Sequence, residues 1–434
     1  MLPLRLTERI RFDGLWRHRD FRLYWQGSTV SAFGTAVTRL ALPLIATLTL
    51  HASPFEIGLI AFAEEAPLLV LGLFAGVWVD RYRRLPMMRV TDLLRFVLLL
   101  TVPIAHWLGY LSVPLLVVFA LGIGILSVLF EIAAQAMTTT LLQPKDFAEG
   151  NSKRYAGEAG AQIAGPGLGG ALISLVGPAP ALLIDSTTYL YSIACLRKMN
   201  FVEPEPQGSG GESLFKAVGH GLREVWVNPY LRSVSMASGA LTFVFGIGVT
   251  MLVPFGSRTL GLSSGVIGIA LSMFGVGALI GSIFAGRIIN RFGLGRGLIV
   301  GLALDIPGLL LIACAFGSPS LAGIMFATGS FLTALFSPIY DINQFSLRQA
   351  VTPEPLRGRM VATTRVVIRG SAAMGALTGG IVAELLGLRG AMLVGALAPV
   401  LPILILLRSP VPTLTTMPEG PIKISSSQTG NEQR

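Results

Sequence analysis

The 434-residue chain is 52% hydrophobic and 13% charged, about half the charge of an average soluble domain, with a mean hydropathy of +0.69. That balance excludes an ordinary soluble enzyme, while the 51 Gly and 26 Pro follow no collagen period and sit among too many aliphatics for disorder. The chain reads as a polytopic membrane protein, and its excess of 33 Lys and Arg over 23 Asp and Glu records orientation in a bilayer, not nucleic-acid binding.

Residues 1–21 carry Arg5, Arg9, Arg11, Arg17 and Arg19 without an apolar run, so a cytoplasmic N-terminal segment with no cleavable signal peptide is expected. Crossing roughly 30 Å of hydrocarbon takes about 20 mostly apolar residues. Such runs lie near 22–48, 55–79, 87–108, 113–139, 155–177 and 180–198, an N-terminal half over 22–198. A second set near 231–254, 265–289, 297–316, 321–345, 360–386 and 389–407 forms a C-terminal half over 231–408. Long continuous runs favour helices over barrel strands. The predicted fold is an all-α membrane protein with twelve transmembrane helices in two six-helix halves.

Between the halves, 199–230 reads as a cytoplasmic linker. Pro204, Pro206 and Gly208 to Gly211 lead into Leu214, Phe215, Val218 and Leu222 at the spacing of a surface helix. Residues 409–434, rich in Pro, Ser and Thr, read as a disordered tail. Cys195 and Cys314 lie in apolar runs and His18, His51, His106 and His220 are scattered, so no disulfide framework, metal site or cofactor is expected. Of the basic residues, Arg39, Arg258 and Arg389 fall on one side and the rest on the other. The positive-inside rule then puts both termini in the cytoplasm of a multi-pass cell-membrane protein.

The halves repeat. At a shift of 210, Ser53, Ile57, Gly58, Phe74, Ala75, Gly76 and Arg81 coincide with Ser263, Ile267, Gly268, Phe284, Ala285, Gly286 and Arg291. Gly165, Gly169 and Gly170 likewise coincide with Gly375, Gly379 and Gly380. Polar stripes recur too. Ser28, Ser31 and Thr35 on span 1 answer Ser235, Ser238 and Thr242 on span 7; Ser127, Glu131, Gln135 and Thr138 on span 4 answer Thr333, Ser337, Asp341 and Gln344 on span 10. Intervals of three and four make each series one stripe of a helix. Two readings are open, a polar cavity between the halves and hydrogen-bonding glue between helices.

Ionisable residues inside spans are candidates for function. Arg39, Glu64 and Glu65 all lie ~14 Å from the outer ends of their spans at ~1.5 Å per residue, so Arg39 can neutralise one glutamate and leave the other to exchange a proton. A proton-coupling site and a purely structural ion pair both fit. Glu131 suits a cationic substrate or a proton, or is simply a charge held by Gln135 and a neighbouring helix. Asp341 should meet water or an arginine, with Arg365 and Arg369 as candidate partners; Asp92 and Asp305 read as structural.

The segment after span 2, Gly76-Val77-Trp78-Val79-Asp80-Arg81-Tyr82-Arg83-Arg84, has a degraded copy over Gly286 to Gly293, with Asn290 replacing the acid. Here the sequence resembles the major facilitator superfamily, whose two six-helix halves rock between inward-open and outward-open states. The resemblance runs from about Phe21 to Arg408 and departs from the family pattern at Arg83, where a Gly is usual. Span 5 carries Gly165-Pro166-Gly167-Leu168-Gly169-Gly170, similar to an element of the family's drug/proton antiporters. The same letters satisfy G-x-G-x-x-G, but no βαβ unit surrounds them. Asp92-Leu93-Leu94-Arg95, Asp185 and Pro355-Leu356-Arg357-Gly358-Arg359 resemble the branch containing macrolide-efflux proteins and enterobactin exporters.

That resemblance implies a monomeric efflux transporter moving a small amphipathic compound in exchange for protons. Gly76, Asp80, Arg81 and Arg84 would form a gating loop, or the arginines would serve as positive-inside anchors alone. Neither an enzyme nor direct use of ATP is expected, since no catalytic constellation and no phosphate loop appears. The alternatives are an importer on the same fold and a lipid-handling or assembly-partner protein.

Overall fold

The computed structural model describes residues 14–203 and 226–418, without the side chains at positions 70, 72–81, 355, 358, 359 and 362. The gating-loop residues Gly76, Asp80 and Arg81, the surface helix and most of the C-terminal tail therefore lie outside the described side chains and residues. Among the described residues the secondary structure is helical, with no strand.

Six helices make the first group: α1 (Arg19–Leu44), α2 (Pro54–Arg81), α3 (Arg84–Trp107), α4 (Val113–Leu141), α5 (Phe147–Val176) and α6 (Pro178–Arg197). The second comprises α7 (Pro229–Pro254), α8 (Ser264–Phe292), α9 (Leu294–Ala313), α10 (Pro319–Val351), α11 (Arg357–Ala396) and α12 (Val400–Leu407). Eight described stretches are long and apolar enough to cross a membrane. The last of them, Thr363–Leu407, turns at Gly387, whose φ of 76° interrupts α11. Gly177, with φ 86°, makes the equivalent turn between α5 and α6, one repeat earlier. Only glycine adopts such an angle at little cost.

Side-chain caps start several helices where four backbone N–H groups would otherwise go without partners. Asn228 accepts from Tyr230 and Leu231 on α7, Ser263 from Val266 on α8, and Ser318 from Leu321 on α10. α1 and α7 both finish in a π-turn, Ile45–Thr49 and Phe255–Thr259, again one repeat apart. A π-turn widens the helix and frees carbonyls for other donors.

Packing repeats as the sequence does. In the first group α1 packs on α5 and α6, and α4 on α2 and α3; in the second α7 packs on α11, and α10 on α8 and α9. The groups meet through α2 against α11 and α5 against α8. These meetings are not spread evenly along the helices. At the end formed by the π-turns a single hydrophobic core joins both groups, including Leu44, Ile57, Ile173, Phe255, Ile267 and Phe326. At the opposite end, which carries most of the described Lys and Arg, the core divides in two, one around Phe21, Met88 and Met137 and the other around Leu298, Tyr340 and Leu347. The bundle is closed at the Arg-poor end and parted at the basic end.

Candidate functional site

The closed end depends on glycine. A Cβ on Gly58 of α2 would sit 2.8 Å from the Ala376 carbonyl and 2.9 Å from Gly380 Cα of α11. One repeat later, a Cβ on Gly268 of α8 would sit 2.3 Å from the Pro166 carbonyl and 2.9 Å from Gly170 Cα of α5. Backbones approach this closely only where side chains are missing. Within the span 5 element, Gly170 and the Pro166 carbonyl thus face the other half, whereas Gly165 packs on Ala36 and Gly169 on Val37 of α1. Gly167 N donates to Ser272 Oγ at 2.9 Å, and Ser174 and Ser264 hydroxyls lie 2.9 Å apart. Arg258, at the end of α7, crosses to the first half and donates to the carbonyls of Ala52 at 2.9 Å and Thr47 at 2.6 Å.

Deeper in, charges take over. Gly124 lets α4 lie directly on α2, since a Cβ there would come within 2.3 Å of the Glu64 carbonyl. This fixes the depth of Glu64 and Glu65 against Glu131, which lies about 15 Å from the α4 terminus at Leu141, at ~1.5 Å per residue. Facing them across the gap are Arg365 and Arg369, one turn apart on α11. Arg365 Nη2 pairs with Glu131, and Arg369 Nη1 lies 3.3 Å from Glu65 Oε2. Each pair joins opposite halves. Their side chains are between 34% and 51% exposed, so they border open space and are not sealed in a core.

The sequence suggested Arg365 and Arg369 as partners for Asp341. They pair instead across the gap, Arg365 with Glu131 of α4 and Arg369 with Glu65 of α2. Arg39 acts on Glu64, but among the described residues no hydrogen bond or ion pair within 4.0 Å joins it to either glutamate; Glu65 faces Arg369. Gln135 and Asp341 are exposed, and Thr35, Thr242 and Ser337 are half-buried. Ser31 and Ser238 are 4% exposed and packed between helices. Thr35 donates to the Ser31 carbonyl at 3.0 Å and lies 3.3 Å from the Tyr189 hydroxyl of α6. Ser238 meets the Tyr340 hydroxyl at 2.9 Å and accepts from Arg348 at 2.5 Å. Of the loop residues, Arg84 is described: it contacts Glu203 at 3.4 Å, and its backbone N–H donates to the same carboxylate at 2.7 Å.

One buried charge, Arg348, escaped the reading of the sequence, and another, Arg95, entered it only as part of a motif. Arg348 is 2% exposed, and its signal was its spacing after Ser337, Asp341 and Gln344 on one face of α10. Arg95 lies 3.4 Å from Asp92 and over the rings of Phe130 and Tyr189. Asp185, nearby on α6, accepts from Thr38 and Thr188. Such a cluster inside one half stiffens it as a unit. A cavity of about 240 Å³ beside the ion pairs is lined by Gln344, Arg348, Met360, Thr364, Arg365 and Arg369, among others.

Comparison with known proteins fits this geometry. The profile of the family described as transmembrane secretion effector matches residues 14–427. The multidrug efflux pump Tap of Mycolicibacterium fortuitum is 25% identical over 376 residues, covering 83% of this chain and 88% of Tap. A bacterial homologue of the iron transporter ferroportin in its inward-facing state superposes with a TM-score of 0.73 at 17% identity, over 91% of this chain and 99% of that one. A bacterial ferroportin homologue in the outward-facing state gives 0.55 at 17% identity, over 90% and 98%. The chain belongs to the transmembrane secretion effector family, in the efflux branch of the major facilitator transporters, and is a multi-pass membrane transporter and not an enzyme.

Proposed function

We propose that the protein exports a small amphipathic compound across the cell membrane by proton antiport, through twelve crossings with both termini cytoplasmic. The two ion pairs that cross between the halves, Glu131 with Arg365 and Glu65 with Arg369, carry this reading. On the positive-inside orientation the parted end faces the cytoplasm, so the conformation described is inward-facing and ready to load. The name of its relative Tap, a multidrug efflux pump, supports export of drug-like compounds.

In the cycle, a compound enters between the halves from the basic end and reaches the half-exposed charges with Gln135, Ser337 and Asp341. Half-exposed ion pairs contribute only about 0.2–1 kcal/mol each, a hold weak enough to be exchanged. Protonating Glu65 or Glu131 removes its negative charge and releases the arginine opposite, while an incoming cationic or hydrogen-bonding group competes for the same carboxylate. One proton and one substrate thus alternate at a glutamate. Glu64, with Arg39 as its neighbouring charge, is the second candidate for that role.

The test is counterflow of a panel of labelled amphipathic antibiotics in proteoliposomes, with and without an imposed pH gradient. Gradient-driven accumulation is expected, with altered pH dependence in Glu65→Gln and Glu131→Gln. Unchanged pH dependence in Glu64→Gln, Glu65→Gln and Glu131→Gln alike would remove these glutamates from the coupling. Redistribution of lipid independent of the gradient would favour a lipid-handling protein.

A further inference from the structure

Behind the polar stripe of α10 lies a carboxylate that the cycle above does not use. Asp305 of α9 is 5% exposed. Its Oδ2 meets Ser337 Oγ at 3.4 Å, but that hydroxyl has one proton and a nearer acceptor in the Thr333 carbonyl at 2.9 Å. Among the described residues Oδ1 has no hydrogen-bond partner, and neither has the buried Thr333 hydroxyl on α10.

No cation compensates it among the described residues. Asp341 of α10 is the charge that acts on Asp305, and it is another acid. Arg348 acts on Asp341, while Arg365 and Arg369 of α11 are turned to Glu131 and Glu65. Arg389 reaches the carbonyls of Ala313 and Ala315 at the far end of α9. Arg287 and Arg291 of α8 lie over Phe284 and Phe292, and α12 carries no ionisable side chain. The repeat sharpens the contrast. At the shift of 210, Asp305 occupies the place of Arg95, which in the first half answers Asp92 at 3.4 Å. Among the described residues the second half keeps an acid at this depth without the base.

An ionised carboxylate with neither a committed donor nor a cation is among the costliest groups to bury, and a second acid beside it adds to the cost. We propose that Asp305 is a proton site of the second half, protonated in the conformation described and exchanging its proton with the space between the halves through Asp341. Asp341 is exposed and stands one turn beyond Ser337 on the same stripe. In the exchange the Asp305 O–H bond breaks, the proton passes to the Asp341 carboxylate and then to water, and Asp305 is left anionic; nothing is oxidised or reduced. Coupling of this proton to export rests on the antiport reading, whereas the protonation of Asp305 does not.

Infrared difference spectroscopy of the full-length protein in proteoliposomes, titrated from neutral into alkaline pH, reads the carboxyl directly. The wild type should show the C=O band of a buried protonated acid that disappears as pH rises. The band should be absent from Asp305→Asn, present in Glu65→Gln, and lost at a different pH in Asp341→Asn. Because an amide is the neutral isostere, Asp305→Asn should insert normally, keep gradient-free counterflow and lose gradient-driven accumulation. Identical spectra for wild type and Asp305→Asn would overturn the proposal, as would a band that persists unchanged at alkaline pH. Failure of Asp305→Asn to insert would also overturn it, since the neutral form would then be the wrong one. Should a gradient drive no accumulation even in the wild type, antiport falls and the spectra still decide Asp305.

Discussion

At the scale of single residues, the repeat is most informative where it breaks. Arg258 stands one repeat after Leu48, an exposed leucine, yet only the arginine reaches across to the carbonyls of Thr47 and Ala52. Hydrogen bonds from a charged group contribute about 1.5–3 kcal/mol when well shielded. This side chain is exposed, so about 1 kcal/mol is the reasonable figure, or roughly a fivefold change in a two-state population. Arg258→Leu, which restores the symmetry, should move the population toward opening at the Arg-poor end. Distances between spin labels on either side of that end would report it; an unchanged distribution would show that Arg258 holds nothing. The sequence displayed every one of these charges but not their partners. Arg365 and Arg369 were visible one turn apart, whereas their turn toward Glu131 and Glu65 depends on how α11 is rotated, which a local pattern does not encode.

At the scale of helices, closure is a glycine property. Gly58 against Gly380 and Gly268 against Gly170 are the same contact made twice, and the sequence displayed the duplicated glycines without showing which helices they join. Gly268→Val would push a side chain into the Pro166 carbonyl, a backbone atom that cannot step aside. Overpacking of this kind costs about 1–3 kcal/mol, enough to prevent closure of the Arg-poor end. We expect normal insertion, counterflow reduced about tenfold or more, and labels held apart at that end; wild-type counterflow in Gly268→Val would show the contact to be dispensable. Helix ends were less legible than helix interiors. The structure starts α5 at Phe147, where hydropathy placed the span from about 155, because amphipathic turns beyond the hydrocarbon stay helical through local bonds such as Lys153 to Glu149 at 2.5 Å. The π-turns at Ile45–Thr49 and Phe255–Thr259 left no mark in the hydrophobic pattern.

For the whole molecule, orientation decides whether the parted end loads or releases. Alkaline phosphatase fused after Tyr110, in a connection without Lys or Arg, should be active, and fused after Lys198 inactive; the reverse result would invert the direction of the proposed cycle. Hydropathy and the repeat were enough for the sequence by itself to determine an all-helical membrane protein built twice, because a bilayer forces each crossing to be a long apolar helix and duplication leaves its glycines in register; that it is a transporter came from the resemblance of its motifs. Which charges meet, that one end of the bundle shares a core while the other is split, and that Asp305 has no base beside it among the described residues were decided only by the tertiary structure. The reason is physical: these depend on the rotation of each helix about its axis and on distances between segments far apart in the chain, and neither is carried by the order of residues along one helix.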